Sequence, residues 1–457
     1  MAIATINPAT GETLKTFEPM DDHELDERLA LAAAAFEEYR ATGFARRAEW
    51  MLSAARLLDE ESEQLARLMT TEMGKPLPQA RAEAAKCVQG MRFYAEHAEE
   101  FLATEPADAA AVKARRAEVR YQPLGPVLAI MPWNFPCWQV IRFAAPALMA
   151  GNVGLLKHAS NVPQTALYLG ELFARAGFPA GCFQTLLIES GRVEGVLRDG
   201  RVVAATLTGS EAAGASVASI AGGEVKKTVL ELGGSDPFVV MPSADVAAAA
   251  ETGVTARVQN NGQSCIAAKR FIVHDAVYDA FTERFVEGMR ALRLGDPMDE
   301  TTDVGPLATQ RGRDDVERLV ADAAGRGAHV LCGGVTPSRT GWYFEPTVLT
   351  GVGPGMRMFE EEVFGPVAQL YRVSDAGEAI ALANATGFGL GSNVWTTDPD
   401  ERERFIGALE SGLVFVNGMV TSYPELPFGG VKRSGYGREL SVQGIREFCN
   451  VKTVWVG

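Results

Sequence analysis

From Pro126 onward the chain repeats one arrangement, in which a short apolar run is followed by a turn, a helix-length stretch and another apolar run. Pro126 to Met131, Val153 to Lys157, Phe183 to Ile188 and Val202 to Leu207 read as strands. Between them lie helix-like stretches from Cys137 to Ala150, Pro163 to Ala176 and Val193 to Arg198. Strands alternating with helices of this length form βαβ units, so the fold class is α/β, with a mostly parallel sheet covered on both faces. Sheets of this kind bind ligands beyond the carboxyl ends of their strands. A second strand and helix series is expected from Thr228 to about Lys432. Upstream, Asp21 to Leu102 reads as several helices broken at Gly43 and at Gly74-Lys75-Pro76, with strand-like Ala117 to Tyr121 beyond them. The tail from Phe448 to Val456 alternates apolar and polar residues, as an edge strand does.

The 457 residues exceed what one core usually supports, which implies two or three domains. A formal charge of −15 without a long Lys/Arg run lacks the electrostatic footprint of a nucleic-acid binder. Apolar runs fall far short of the roughly 20 residues that cross a bilayer. The opening MAIATINPATGE has neither a basic start nor an apolar signal core, so no membrane association and a cytoplasmic location are expected. Six cysteines and five histidines are scattered, with no CxxC and no HExxH, and no metal site is expected.

Three turns carry candidate chemistry. Cys265 ends Asn260-Asn261-Gly262-Gln263-Ser264-Cys265, where backbone N–H groups can stabilise a thiolate, although a lone cysteine is more often a small buried apolar residue. Glu231 closes the apolar run Val229-Leu230-Glu231 ahead of Gly233-Gly234. Partial desolvation there raises a carboxyl toward the range of a general base, unless it is simply paired for structure. Asn134 sits between Trp133 and Phe135 in a proline-bracketed turn, where its amide can donate to an oxyanion or merely shape the turn.

Taken together, PWNFP (132–136), LELGG (230–234), NNGQSC (260–265), EEVFGP (361–366) and LPFGGVKRSGYGRE (426–439) resemble, in order and spacing, the aldehyde dehydrogenase superfamily. The resemblance implies two Rossmann-like parallel-sheet domains plus a small β oligomerisation region. Residues 1–105 and 123–230 would form the cofactor-binding domain, 231–432 the catalytic domain, and 106–122 with 433–457 the bridging region of a homodimer or homotetramer. It further implies a mechanism. Cys265 adds to the aldehyde carbon, Asn134 and the Cys265 N–H hold the oxyanion, hydride leaves for a nicotinamide, and Glu231 activates the water that hydrolyses the thioester.

No GxGxxG follows the first strand; Gly209-Ser210, with Gly214, instead opens a helix after a strand. By resemblance that helix start and Ser210 face the pyrophosphate, Lys157 the adenosine ribose and Glu362 the nicotinamide ribose. Phe364, Trp133, Asn134 and Leu232 complete the expected cofactor set. Many NAD-using members carry a glutamate where Ser160 stands, so NADP is the expected cofactor, with NAD possible. Arg142, two helical turns after Asn134, and Ser422 resemble the carboxylate-binding positions of short bacterial succinate-semialdehyde dehydrogenases. Gln259 departs from members that place a second arginine there. The expected partner is a carboxylated small-molecule aldehyde. Another small or medium-chain aldehyde, or a non-catalytic descendant of the fold, are the alternatives; a thiol hydrolase would need a histidine partner for Cys265, and none lies in a pairing motif.

Overall fold

The computed structural model describes residues 2–457. Its first large sheet has six strands, in the order Gly435–Tyr436, Lys227–Glu231, Ala204–Thr208, Pro126–Met131, Val153–His158 and Phe183–Thr185. All neighbours are parallel except the short first strand, which runs antiparallel to Lys227–Glu231. The chain leaves Pro126–Met131 in one direction and returns to its other side with Ala204–Thr208, so a crevice opens beyond the ends of these two strands. Val127, Leu128 and Ala129 are fully buried, as expected of strands covered on both faces.

The helix Trp138–Ala150 is buried along its whole length and passes through the core rather than over it. Its start has no side-chain cap of its own. Glu83, from the long helix Leu77–Phe101, supplies one instead: its Oε1 accepts the N–H groups of Cys137 and Trp138, both at 2.9 Å. The cost of burying that carboxylate is offset by an ion pair with Lys75, whose ammonium lies 4.1 Å above the Phe135 ring. The turn carrying Asn134 is therefore anchored from beneath.

A second sheet of seven strands runs His329–Cys332, Thr347–Thr350, Val367–Val373, Ala268–His274, Asp236–Val240, Gly391–Trp395 and Leu413–Val416. All pairings are parallel except the first. In a third, antiparallel sheet, Cys449–Val456 lies alongside Arg116–Pro123 over its full length, with Glu105–Pro106 beyond. The edge strand expected of the tail thus finds its partner, and Val451 and Trp455 remain exposed on it.

Three boundaries differ from expectation. The run Thr228 to Glu231 closes the first sheet rather than opening the second, which starts at Asp236; an apolar run buried on both faces fits either sheet. The strand expected to reach Ile188 ends at Thr185, because the Ile188 N–H turns back to the Leu186 carbonyl. The segment after Ser434 first adds Gly435–Tyr436 to the first sheet and only then reaches the third.

Candidate active site

Where the first sheet's crevice meets the second sheet, two chambers share one thiol. A chamber of about 300 Å³ is lined by Trp133, Asn134, Thr208, Gly209, Ser210, Leu232, Glu362 and Phe364, and Cys265 stands at its end. A larger chamber of about 540 Å³ contains Lys86, Trp138, Arg142, Gln259, Ser422 and Phe428, and it too reaches Cys265. Only Cys265 and Gln139 belong to both linings.

The Cys265 loop is built by amides. Asn260 and Asn261 adopt left-handed backbone (φ 53° and 59°), which asparagine tolerates better than most residues. Asn260 Nδ2 donates to the Asn134 carbonyl at 2.7 Å and to Gln263 O at 2.9 Å. Asn261 Nδ2 donates to the carbonyls of Gly74 and Pro306, and its Oδ1 accepts the Gly305 N–H at 2.7 Å. Asn134 Nδ2 donates to Gln263 O at 3.1 Å, and its second N–H is left for another acceptor. Beneath this turn, His158 Nδ1 accepts the Ala159 N–H at 2.9 Å, so Nε2 carries the proton and donates to Pro136 O at 2.8 Å.

The two glycines of LELGG have separate purposes. A Cβ on Gly233 would stand 2.7 Å from Glu362 Oε2, and one on Gly234 would collide with the Cys265 carbonyl. The Cys265 backbone therefore approaches Gly234 as only glycine allows, whereas the Glu362 carboxylate at Gly233 is a side-chain end that could shift.

Glu231 is buried, and neither of its carboxyl oxygens has a hydrogen-bond partner among the described residues. Burial and the neighbouring Glu439 push this carboxyl well above its usual range, while Arg142 and Arg438 pull it back. Burial likewise pushes the Cys265 thiol up to about 12, and the charges of Glu362 and Glu231 add to that; Lys269 and Arg142 oppose it. Cys265 and Glu231 therefore share one electrostatic neighbourhood, and the thiol keeps its proton near neutral pH unless a base takes it.

Sequence reasoning did not single out Lys269, Glu439 or Lys86. Lys269 is buried and donates to Ser264 O at 2.8 Å and Cys265 O at 2.6 Å, with Glu362 Oε1 3.2 Å away. Glu439 forms a buried ion pair with Arg142. Arg142 lines the larger chamber; Glu439 pairs with its guanidinium, which also reaches Thr208 Oγ1 at 3.4 Å and stacks 4.5 Å from the Phe428 ring. Lys86 Nζ donates to Ser422 Oγ at 2.7 Å. The one signal in the sequence was helical spacing, since Gln79, Ala82, Glu83 and Lys86 fall on one face of Leu77–Phe101 and all line the chamber.

Of the expected cofactor residues, Trp133 and Phe364 meet edge to face at 5.7 Å, and Ser210 caps the helix Glu211–Gly223 by accepting the Ala213 N–H at 3.4 Å. Lys157 and Ser160 lie at and just after the neighbouring strand's end and are not part of the 300 Å³ lining. Burial lowers the Lys157 pKa, and this lysine has no ion-pair partner among the described residues. Among those residues no group of three or more His, Cys, Asp or Glu side chains is placed to hold a metal, and no helix is long and apolar enough to cross a membrane.

The sequence profile of the aldehyde dehydrogenase family matches residues 1–454. The chain belongs to the aldehyde dehydrogenase family. A Mycobacterium tuberculosis protein named NADP-dependent succinate-semialdehyde dehydrogenase 1 is 64% identical to this aldehyde dehydrogenase over 456 residues, covering 100% of both chains. A Mycobacterium ulcerans protein of the same name is 63% identical over 458 residues, again covering 100% of both. Among solved structures, succinic semialdehyde dehydrogenase from Streptococcus pyogenes, in complex with NADP+, superposes with a TM-score of 0.97 at 37% identity and covers 100% of both chains.

Proposed function

We propose that this aldehyde dehydrogenase oxidises succinate semialdehyde to succinate with NADP, using Cys265 as nucleophile, Asn134 as oxyanion donor and Glu231 as base. The observation that carries the reading is a single thiol in the lining of two chambers, one lined by the expected cofactor residues other than Lys157 and Ser160 and the other able to hold a small aldehyde. Glu231 accepts the thiol proton and sulfur adds to the carbonyl carbon. The alkoxide that forms is met by the free Asn134 N–H and the Cys265 backbone N–H. A dinucleotide held by Ser210, Glu362 and Phe364 would supply the hydride acceptor this oxidation to a thioester requires. Once Glu231 has passed that first proton to solvent, it takes a proton from water, whose oxygen attacks the thioester carbon; the acid leaves, and the departing thiolate is free for the next cycle.

The smaller chamber suits a dinucleotide. Gly209, Ser210 and the start of Glu211–Gly223 offer N–H donors for phosphate, and Trp133 and Phe364 form apolar walls; outside that lining, at the end of the neighbouring strand, Lys157 is a cation without a protein counter-charge among the described residues. Ser160 leaves no carboxylate beside Lys157 to repel a 2′-phosphate. Ser160→Glu should move the kcat/KM ratio toward NAD by about tenfold or more, as one like-charge contact is worth 1.4 kcal/mol or above. A wild-type preference for NAD would contradict this reading of Ser160.

Steady-state kinetics over anionic and neutral aldehydes with both nicotinamides test the whole. Succinate semialdehyde with NADP is expected to give the highest kcat/KM; a neutral aldehyde that matched it would count against the substrate. The relatives' names and the donor-rich larger chamber support the choice. Exposed Val451 and Trp455 suit the third sheet to pairing between copies in a homodimer or homotetramer. Six free thiols, with no disulfide, fit a reducing cytoplasm.

A further inference from the structure

The carbonyls of Gly262, Gln263, Ser264 and Cys265 are all held by buried side chains. Arg257 Nη2 donates to Gly262 O at 2.7 Å, and the amides of Asn134 and Asn260 donate to Gln263 O. Lys269 Nζ donates to both of the last two, Ser264 O at 2.8 Å and Cys265 O at 2.6 Å. Ser264 O also accepts the Ala267 N–H at 3.1 Å, which closes a turn over the same ammonium. On its other side the Cys265 carbonyl is pressed against Gly234, where a Cβ would collide with it.

A trans peptide unit points its C=O and its N–H in opposite directions. The Ser264 carbonyl and the Cys265 N–H belong to one such unit. Lys269 lies behind the loop and lines neither chamber, whereas Cys265 lines both. Drawing the Ser264 carbonyl back onto the ammonium therefore turns the Cys265 N–H forward, to the side where the thiol opens. A cation on the carbonyl oxygen also polarises the peptide and makes that N–H a stronger donor.

The backbone delivers the lysine to this place by an irregularity. Asp236 faces Ala268 and Pro237 faces Arg270 across the second sheet, so Lys269 is an extra residue opposite no partner on that neighbouring strand, as in a bulge. Its side chain is fully buried, and Glu362 Oε1, 3.2 Å away, supplies the counter-charge. Asp236 and Arg257 are the other charged groups that bear on it. At the thiol, Lys269 and Arg142 favour the thiolate, while Glu362 and Glu231 oppose it.

We propose that Lys269 is a positioning residue for the oxidation: by holding the Ser264 carbonyl it aims the Cys265 backbone N–H at the alkoxide oxygen of the adduct. This rests on the reading of Cys265 as the nucleophile. Lys269 itself touches neither aldehyde nor thiol and acts through the peptide between them.

The test compares wild type with Lys269→Met, which keeps the length of the side chain and removes its charge and donors. An oxyanion donor is used more in the transition state than in the ground state. The kcat for succinate semialdehyde should therefore fall by about 100-fold, the low end for a lost donor, while KM moves by about threefold or less. Alkylation of Cys265 by iodoacetamide, followed against pH without aldehyde, should slow by about tenfold at each alkaline pH, because a cation that favours the thiolate is gone. A lysine that merely filled space would produce neither the split between kcat and KM nor the displaced pH profile. If Lys269→Met does not fold, Lys269→Gln carries the same test. An unchanged kcat, a kcat loss matched by an equal rise in KM, or an unchanged alkylation profile overturns the proposal and leaves the nucleophile in place. Turnover retained by Cys265→Ala instead overturns the reading beneath it.

Discussion

Cys265→Ala removes aldehyde oxidation by about 10,000-fold or more, the scale on which loss of a covalent nucleophile is felt in enzymes whose catalytic groups act as a unit. Cys265→Ser should do nearly as badly, because a hydroxyl in the environment that raises the thiol to about 12 is harder still to ionise. The variant should still bind the dinucleotide, since the walls formed by Trp133, Phe364 and Ser210 do not depend on sulfur. Fluorescence titration with NADPH, alongside turnover, separates the two functions. Retained turnover in either variant would remove the basis of the mechanism.

Glu231→Gln should divide the reaction in half. Without the carboxylate, hydrolysis of the thioester slows by about 1,000-fold, in the range typical of lost general-base catalysis. A first burst of NADPH, limited to one per active site, should remain wherever the thiol can lose its proton to solvent at alkaline pH. Rapid-quench detection of the accumulated acyl-enzyme checks this. The pH dependence has a definite sign. Burial and Glu439 hold the Glu231 carboxyl above its usual range, so the proton-accepting form is gained as pH rises, and wild-type kcat climbs through that raised pKa. Glutamine should flatten that limb. Unchanged steady-state turnover, or an unchanged pH limb, would remove Glu231 from the role of base.

Much of this site was legible because its chemistry lies in turns at strand ends. Cys265, Glu231 and Asn134 each sit at or just beyond the end of a regular element, beside glycine, proline or amide-rich backbone, so local sequence marks them. What escaped was pairing over distance. Nothing near Arg142 announces that Glu439, from the far end of the chain, pairs with its guanidinium. Lys86 read as one more charge on a long amphipathic helix, and only the chamber shows that its face is turned inward. Lys269 falls inside an apolar strand, where the strand pattern gives no hint that its ammonium binds the Cys265 carbonyl. Sheet membership was ambiguous for the same reason: Thr228 to Glu231 has apolar character on both faces, so periodicity could not say which neighbour it joins.

Glu439, which touches Arg142 and raises the Glu231 carboxyl, is separated from the strand Cys449–Val456 only by the short helix Ser441–Arg446 and a few flanking residues. The polypeptide that tunes the reaction centre is thus the one that continues into the outermost sheet. Strand pairing at the edge and proton inventory become two ends of one lever, and loosening the tail at the rim of the molecule would be felt as altered ionisation at its heart.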